Sequence, residues 1–299
     1  MGKKGKKAQA GKPKKLTPKD VGKRLDVLVK KLGEELKGAD LFAPLPPPTE
    51  DCAICFVPLP FLLCDKFYQA CCGNLICEAC GIEKEESINK QNEEKNAGKK
   101  LASTCPFCRE REPASGGSEY VSQIQARCLK NDHIALMAMG DEYRWGRNGT
   151  TKDELKALDC FIRAVELGSG AACAKIASCY DQGWGVAVDK ERVVLFGKIG
   201  ALRGDVVARH NVGCSEYYDF GNYEIAIHHW KIAAEAGLQE SLNELREIYN
   251  ADGKKPGKEC MSKDYLDSTY RACHGAQMDV KSEEREKHCT KDSRDRFFI

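Results

Sequence analysis

The residues of this chain best equipped for chemistry are its thiols. There are 17 cysteines, and nine of them lie between Cys52 and Cys108 while the other eight are scattered singly. Within the crowded span stand Cys52-x2-Cys55, the adjacent pair Cys71-Cys72, Cys77-x2-Cys80 and Cys105-x2-Cys108, with Cys64 outside the scheme. A CxxC turn sets two sulfurs on one side of the chain, ready for a tetrahedral ion at about 2.3 Å per bond. Three such turns plus a fourth pair supply eight ligands, enough for two zinc ions. The basic N-terminus has no apolar stretch behind it and so does not read as a secretory signal. An intracellular location, cytoplasmic or nuclear, is therefore expected, and in a reducing compartment clustered thiols bind metal rather than form disulfides.

The adjacent pair is the awkward one. Neighbouring side chains of extended backbone point apart, so Cys71 and Cys72 can serve one ion only if the chain turns there. Gly73 makes such a turn accessible. Three readings stay open: Cys71 with Cys72, Cys64 with one of them, or a degraded second site. Metal is expected to hold residues 51–112 together. A segment of about 60 residues is marginal unaided, whereas a structural zinc contributes on the order of 10 kcal/mol.

The paired thiols of residues 51–109 resemble a RING finger. The resemblance implies that the first and third pairs share one zinc and the second and fourth pairs the other. It also implies a ubiquitin ligase, with Ile54 of CAIC as the apolar contact to a ubiquitin-conjugating enzyme and Pro106 of CPFC as a second contact. Arg109, directly after Cys108, then matches the cation that bridges conjugating enzyme and ubiquitin, and its planar fork can hydrogen-bond to both. Such a ligase contributes no covalent nucleophile and accelerates transfer by orienting the thioester. Two features depart from the family pattern. A RING has Cys-x-His before its third pair, whereas here Asn74 stands in the histidine's place and no histidine precedes His133, so the second site must be all-cysteine. The segment after Cys80, GIEKEESINKQNEEKNAGKK, is polar where many RINGs offer apolar contact. These departures favour an alternative, a zinc-stabilised scaffold or adaptor without ligase activity.

The elements around the thiols follow from pattern. Residues 1–50 read as a lysine-rich, largely disordered tail, then a short amphipathic helix carrying Val21, Leu25, Leu28, Val29 and Leu32, then an extended linker at APLPPPTED. Residues 113–118 read as a second joint. Residues 119–250 repeat: Gly168, Gly204 and Gly237 end three similar apolar segments at steps of 36 and 33 residues. Small residues recur in register, Ala135, Gly140 and Tyr143, then Ala172, Ala177 and Tyr180, then Ala208, Gly213 and, one place late, Tyr217. Stacked helical hairpins are the expected outcome, and these residues resemble Sel-one-like repeats, a family that implies scaffolding through protein partners. Residues 251–299 read as a helical, polar extension. The expected fold is therefore mainly α, a small two-zinc module followed by an α-solenoid. Trp184 and Trp230 are expected to pack, and His210, His228 and His229 to carry no catalysis. Net charge is only +2 and mean hydropathy −0.50, and no apolar run is long enough to span a membrane. The tail lysines have no interleaved aromatics for stacking on bases, so nucleic acid is not an expected partner.

Overall fold

The computed structural model describes residues 16–45, 50–56, 58–59, 66–94, 104–113, 117–251 and 255–279. The lysines at positions 3–15 and Cys64 lie outside the described residues. Helix α1 (Pro18–Leu36) precedes a two-stranded antiparallel hairpin, β1 (Lys66–Tyr68) and β2 (Leu75–Cys77), which runs directly into α2 (Glu78–Glu94). Nine more α-helices follow among the described residues: α3 (Ser118–Cys128), α4 (His133–Trp145), α5 (Glu154–Glu166), α6 (Gly170–Gln182), α7 (Lys190–Leu202), α8 (Val206–Cys214), α9 (Tyr223–Glu235), α10 (Gln239–Asn250) and α11 (Lys263–Asp279).

Helices α4 to α9 form three hairpins, α4 on α5, α6 on α7 and α8 on α9, and each hairpin packs on the next. The starts of α4 to α8 are set by side chains that satisfy the first orphan N–H groups. Asp132, Asp153, Ser169, Asp189 and Asp205 each accept from an amide two or three residues on. The small positions do what their spacing requires. A Cβ at Gly140 would come within 2.4 Å of the Phe161 ring, and one at Gly213 within 2.7 Å of Trp230. Phe161, Phe196 and Trp230 are all fully buried between paired helices.

The late tyrosine of the third repeat has a local cause. Tyr143 and Tyr180 come three residues after their small partners, but Tyr217 comes four after Gly213. The added residue is absorbed by a π-helical turn at Ser215–Asp219 that continues α8. Such a turn takes one more residue per hydrogen-bonded ring and returns the chain to register. Tyr217 is thereby buried against Tyr223 and Trp230 like its counterpart Tyr180 among the core side chains.

Helix α1 lies against α5 and α7. Val21, Leu25, Leu28 and Leu32 are buried in the same core as Phe161 and Phe196. Ion pairs frame this stripe: Arg24 with Asp159 and Glu166, Arg192 with Asp26, and Arg203 with Glu35. Beyond α1 the chain continues along the third hairpin. The buried Arg209 donates to the carbonyls of Leu41 and Ala201, at 2.6 and 3.1 Å, and Phe42 lies over His228 and His229. So within residues 1–50, the helix and the segment 37–45 rest on the repeats. Helix α11 covers α9 and α10 at the other end.

His229 sits at this contact, fully buried, with neither ring nitrogen hydrogen-bonded in the structure. Burial pushes its pKa down to about 4, and the nearby Arg209 and Lys198 push the same way while Glu216 opposes them. The unfolded chain takes up a proton near pH 6.5, which the folded chain refuses until about pH 4. Stability due to this group is thus complete above pH 6.5 and lost as pH falls toward 4, by about 3 kcal/mol in the limit. Urea unfolding followed by helical circular dichroism should show this loss, and His229→Leu should flatten the profile between those pH values. An unchanged slope would mean that another group carries it.

Candidate metal centre

Two CxxC turns of the cysteine module share one backbone shape. The amide of Phe56 donates to the Cys52 carbonyl and that of Arg109 to the Cys105 carbonyl, both at 2.9 Å. Phe56 and Arg109 both take left-handed backbone, with φ of 57° and 60°. Each turn is closed by a lone antiparallel bridge, Asp51 with Pro58 and Thr104 with Arg111. The third CxxC is formed differently, because Cys77 ends β2 and Cys80 lies in the first turn of α2.

The adjacent cysteines occupy the tip of the β1–β2 hairpin. There the Gln69 carbonyl accepts from the amides of Cys72 and Gly73, at 3.1 and 2.6 Å, and the Gln69 amide donates to the Asn74 carbonyl. Gly73 has φ of 87°, a left-handed conformation that closes the turn without Cβ strain. This tight reversal lets two consecutive side chains serve one cluster, which extended backbone would forbid.

The structure gathers Cys52, Cys55, Cys77 and Cys80 into one cluster and Cys71, Cys72, Cys105 and Cys108 into another, with the sulfurs of each within 4.8 Å of one another. The first pair therefore sits with the third, and the second with the fourth. The donor set fits zinc. Four thiolates at about 2.3 Å from one ion stand about 3.8 Å apart along each tetrahedral edge. The sulfur–sulfur edges are 3.9 Å for Cys55–Cys77, 3.6 Å for Cys72–Cys105 and 3.4 Å for Cys71–Cys108. They are much too long for a disulfide bond of about 2.05 Å. Amides support the sulfurs, as Ile54 and Cys77 both direct N–H groups at Cys52 Sγ, at 3.5 and 3.4 Å. Burial pushes the Cys52 thiol up, but the backbone amides of Cys55, Cys77 and Ile54 outweigh it and bring the pKa down to about 7. Burial raises Cys80 and Cys71, and neighbouring thiols raise them further. Crowded thiols cannot all ionise without a cation among them, and a zinc ion would supply that charge.

Asn74 lies in the position where the RING pattern has histidine, and the second cluster of four sulfurs forms without it. Its side-chain amide donates to Cys72 Sγ at 3.4 Å. Cys64 lies outside the described residues, so its place relative to the clusters is not described. Ile54 is 39% exposed, Pro106 and Arg109 are exposed, and Phe56 is 78% exposed. Phe56 escaped the sequence reading, since no local signal in CAICF marks left-handed backbone. A bulky aromatic held both in strained backbone and in solvent is costly on both counts.

In the repeats, Trp230 is core, whereas Trp184 lies 3.4 Å beneath the Arg144 guanidinium and near Trp145. His210 bonds Ser241 Oγ at 2.8 Å and Cys214 Sγ at 3.4 Å.

A family model of the Sel1 repeat matches residues 133–169, 170–192 and 206–238, which cover the first and third hairpins and, in the second, α6 with the start of α7. Among solved structures, a Sel1 repeat protein from Oxalobacter formigenes is 30% identical, with 52% of this chain and 64% of that one covered and a TM-score of 0.42. A protective antigen of uropathogenic Escherichia coli strains displaying an SLR fold is 23% identical, with 52% and 33% covered and a TM-score of 0.44. This chain therefore spans less than two thirds of either neighbour. No curated protein matches it. Three segments of the helical body thus match the Sel1 repeat, and stacked helical repeats build extended surfaces for protein–protein interaction. Among the described residues, no helix is long and apolar enough to cross a membrane.

Proposed function

We propose that this protein is a RING-type ubiquitin ligase, or a ligase subunit, whose cysteine module holds two zinc ions and docks a ubiquitin-conjugating enzyme while the Sel1 repeats hold a protein partner. The observation that carries this reading is the interleaving of the four cysteine pairs, first with third and second with fourth, beside exposed Ile54, Pro106 and Arg109. The zincs hold the fold, and no step of transfer passes through them. Ile54 and Pro106, with Phe56, supply apolar contact. Arg109 bridges the conjugating enzyme and ubiquitin, so its hydrogen bonds matter mainly in the reactive pose. The test is self-ubiquitination with activating enzyme, ATP, ubiquitin and a panel of conjugating enzymes. Ile54→Ala and Phe56→Ala should each weaken enzyme binding by roughly 1–3 kcal/mol through lost apolar area. Arg109→Ala should leave binding nearly intact and slow transfer. Chain formation unaffected by Arg109→Ala would remove the orientation role from that residue.

A second reading has its own support. Glu83, Glu85 and Glu86 of α2 stand in a helix with little apolar character, and the second cluster has no histidine. Both features suit a zinc-stabilised adaptor without ligase activity. Absence of chains with every enzyme of the panel, with zinc content intact, would decide for the adaptor.

A further inference from the structure

The cysteine module meets the repeats at Asp132. The Tyr68 hydroxyl, at the end of β1, donates to Asp132 Oδ2 at 2.7 Å. Arg127, from the last turn of α3, donates to the same oxygen through Nε and a terminal nitrogen, at 3.0 and 2.7 Å. The other oxygen, Oδ1, caps α4 by accepting from the amides of Ile134 and Ala135, at 3.0 and 3.2 Å. The hairpin tip is pressed onto this hub. A Cβ at Gly73 would lie 2.1 Å from the Arg127 guanidinium, and Ala70 is buried in the core shared by α1 and the repeats. Between Ala70 and Gly73 stand Cys71 and Cys72, two members of the second cluster.

We propose that Tyr68, Asp132 and Arg127 are positioning residues for the second metal site, and that through them occupancy of the Cys71, Cys72, Cys105 and Cys108 cluster and order in the first repeat reinforce each other. The turn that directs Cys71 and Cys72 at one ion is held on one side by Gln69 and on the other by the hub. Metal fixes the turn, and the fixed turn presents Tyr68 and the open face of Gly73 to Asp132 and Arg127. Asp132 is both the acceptor for the module and the cap of α4, so whatever orders one orders the other. Linkage makes the effect reciprocal, since a contact that metal strengthens must strengthen metal binding by the same factor. The first cluster has no member in this turn and serves as an internal control. The inference rests on the metal half of the proposed function and is independent of ubiquitin transfer.

The experiment uses the full chain. Zinc is withdrawn by a chromophoric chelator, and the release step of each cluster is assigned with Cys52→Ser and Cys105→Ser. Tyr68→Phe deletes only the hydroxyl. Asp132→Asn keeps a good helix cap while removing the charge that Arg127 meets. Each should weaken zinc at the second site on the order of tenfold and leave the first site unchanged. In return, Cys105→Ser should lower the helical unfolding midpoint more than Cys52→Ser does. Should Asp132→Asn fail to fold, Tyr68→Phe alone decides. Release of both zincs as in the parent chain would overturn the inference while leaving the metal reading in place. An equal loss of affinity at both sites would also overturn it, since it reports general loosening. A chain that holds no zinc would overturn both.

Discussion

Purified protein will contain two zinc ions per chain, and Cys52→Ser or Cys105→Ser will each reduce the content to one. The expectation follows from sulfur geometry. Each cluster brings four sulfurs within 4.8 Å, and the spacings of 3.4–3.9 Å bracket the tetrahedral edge. The energetic stake is large, because a structural zinc contributes on the order of 10 kcal/mol to the fold that creates its site. Metal is expected to supply most of what holds the module. Among the described residues its buried apolar side chains are Leu59, Ile76 and Ala79 beside the cysteines, with Leu75 and Phe107 packed on them. Chelation should therefore expose the module to protease while most helical signal persists. Acid should release the metal too, because protons compete for thiolates. Ile54→Ala and Arg109→Ala should retain both ions, which separates loss of partner contact from loss of fold. Cys64→Ser should leave the count at two. One zinc in the parent chain, or loss of an ion with Cys64→Ser, would break the ligand assignment.

What the sequence disclosed and what it withheld divide along physical lines. The CxxC pairs are local, so their spacing alone announced metal-ready turns, and the three hairpins were legible because small residues and terminal glycines recur in phase. Cys71 and Cys72 were ambiguous because their convergence depends on a turn whose closing bonds come from Gln69, Gly73 and Asn74 together. The late Tyr217 was visible as a slip of one residue, but a slip does not say whether a loop or a helix absorbs it. The seat of α1 was hidden altogether. Its stripe of Val21, Leu25, Leu28 and Leu32 requires a partner surface, and that surface belongs to α5 and α7, more than a hundred residues further along. The latch at Asp132 was hidden for the same reason, since Tyr68 and Asp132 are 64 residues apart.

In the third repeat, Gly213→Ala should destabilise the parent chain yet stabilise a chain already carrying Trp230→Ala. Trp230 is fully buried and touches Tyr217, Tyr218 and His210. Its removal should cost about 3–5 kcal/mol, the range for deleting a large buried aromatic. The loss is chiefly one of packing. The alanine Cβ at position 213 would stand 2.7 Å from the indole nitrogen and 2.8 Å from the neighbouring ring carbon. A fully buried indole has little room to retreat, so overpacking of about 1–3 kcal/mol is expected. Alanine is also the better helix former, by about 1 kcal/mol, but in the parent chain the clash wins. Once the indole is gone the clash goes with it, the propensity gain remains, and the added methyl fills part of the void. The sign of the substitution therefore reverses between the two backgrounds, with a coupling of about 1–3 kcal/mol. Urea unfolding of the four chains, followed by far-ultraviolet circular dichroism, measures it. Additive effects would show that α8 and α9 can move apart, and that close approach at Gly213 does not set the packing of this repeat.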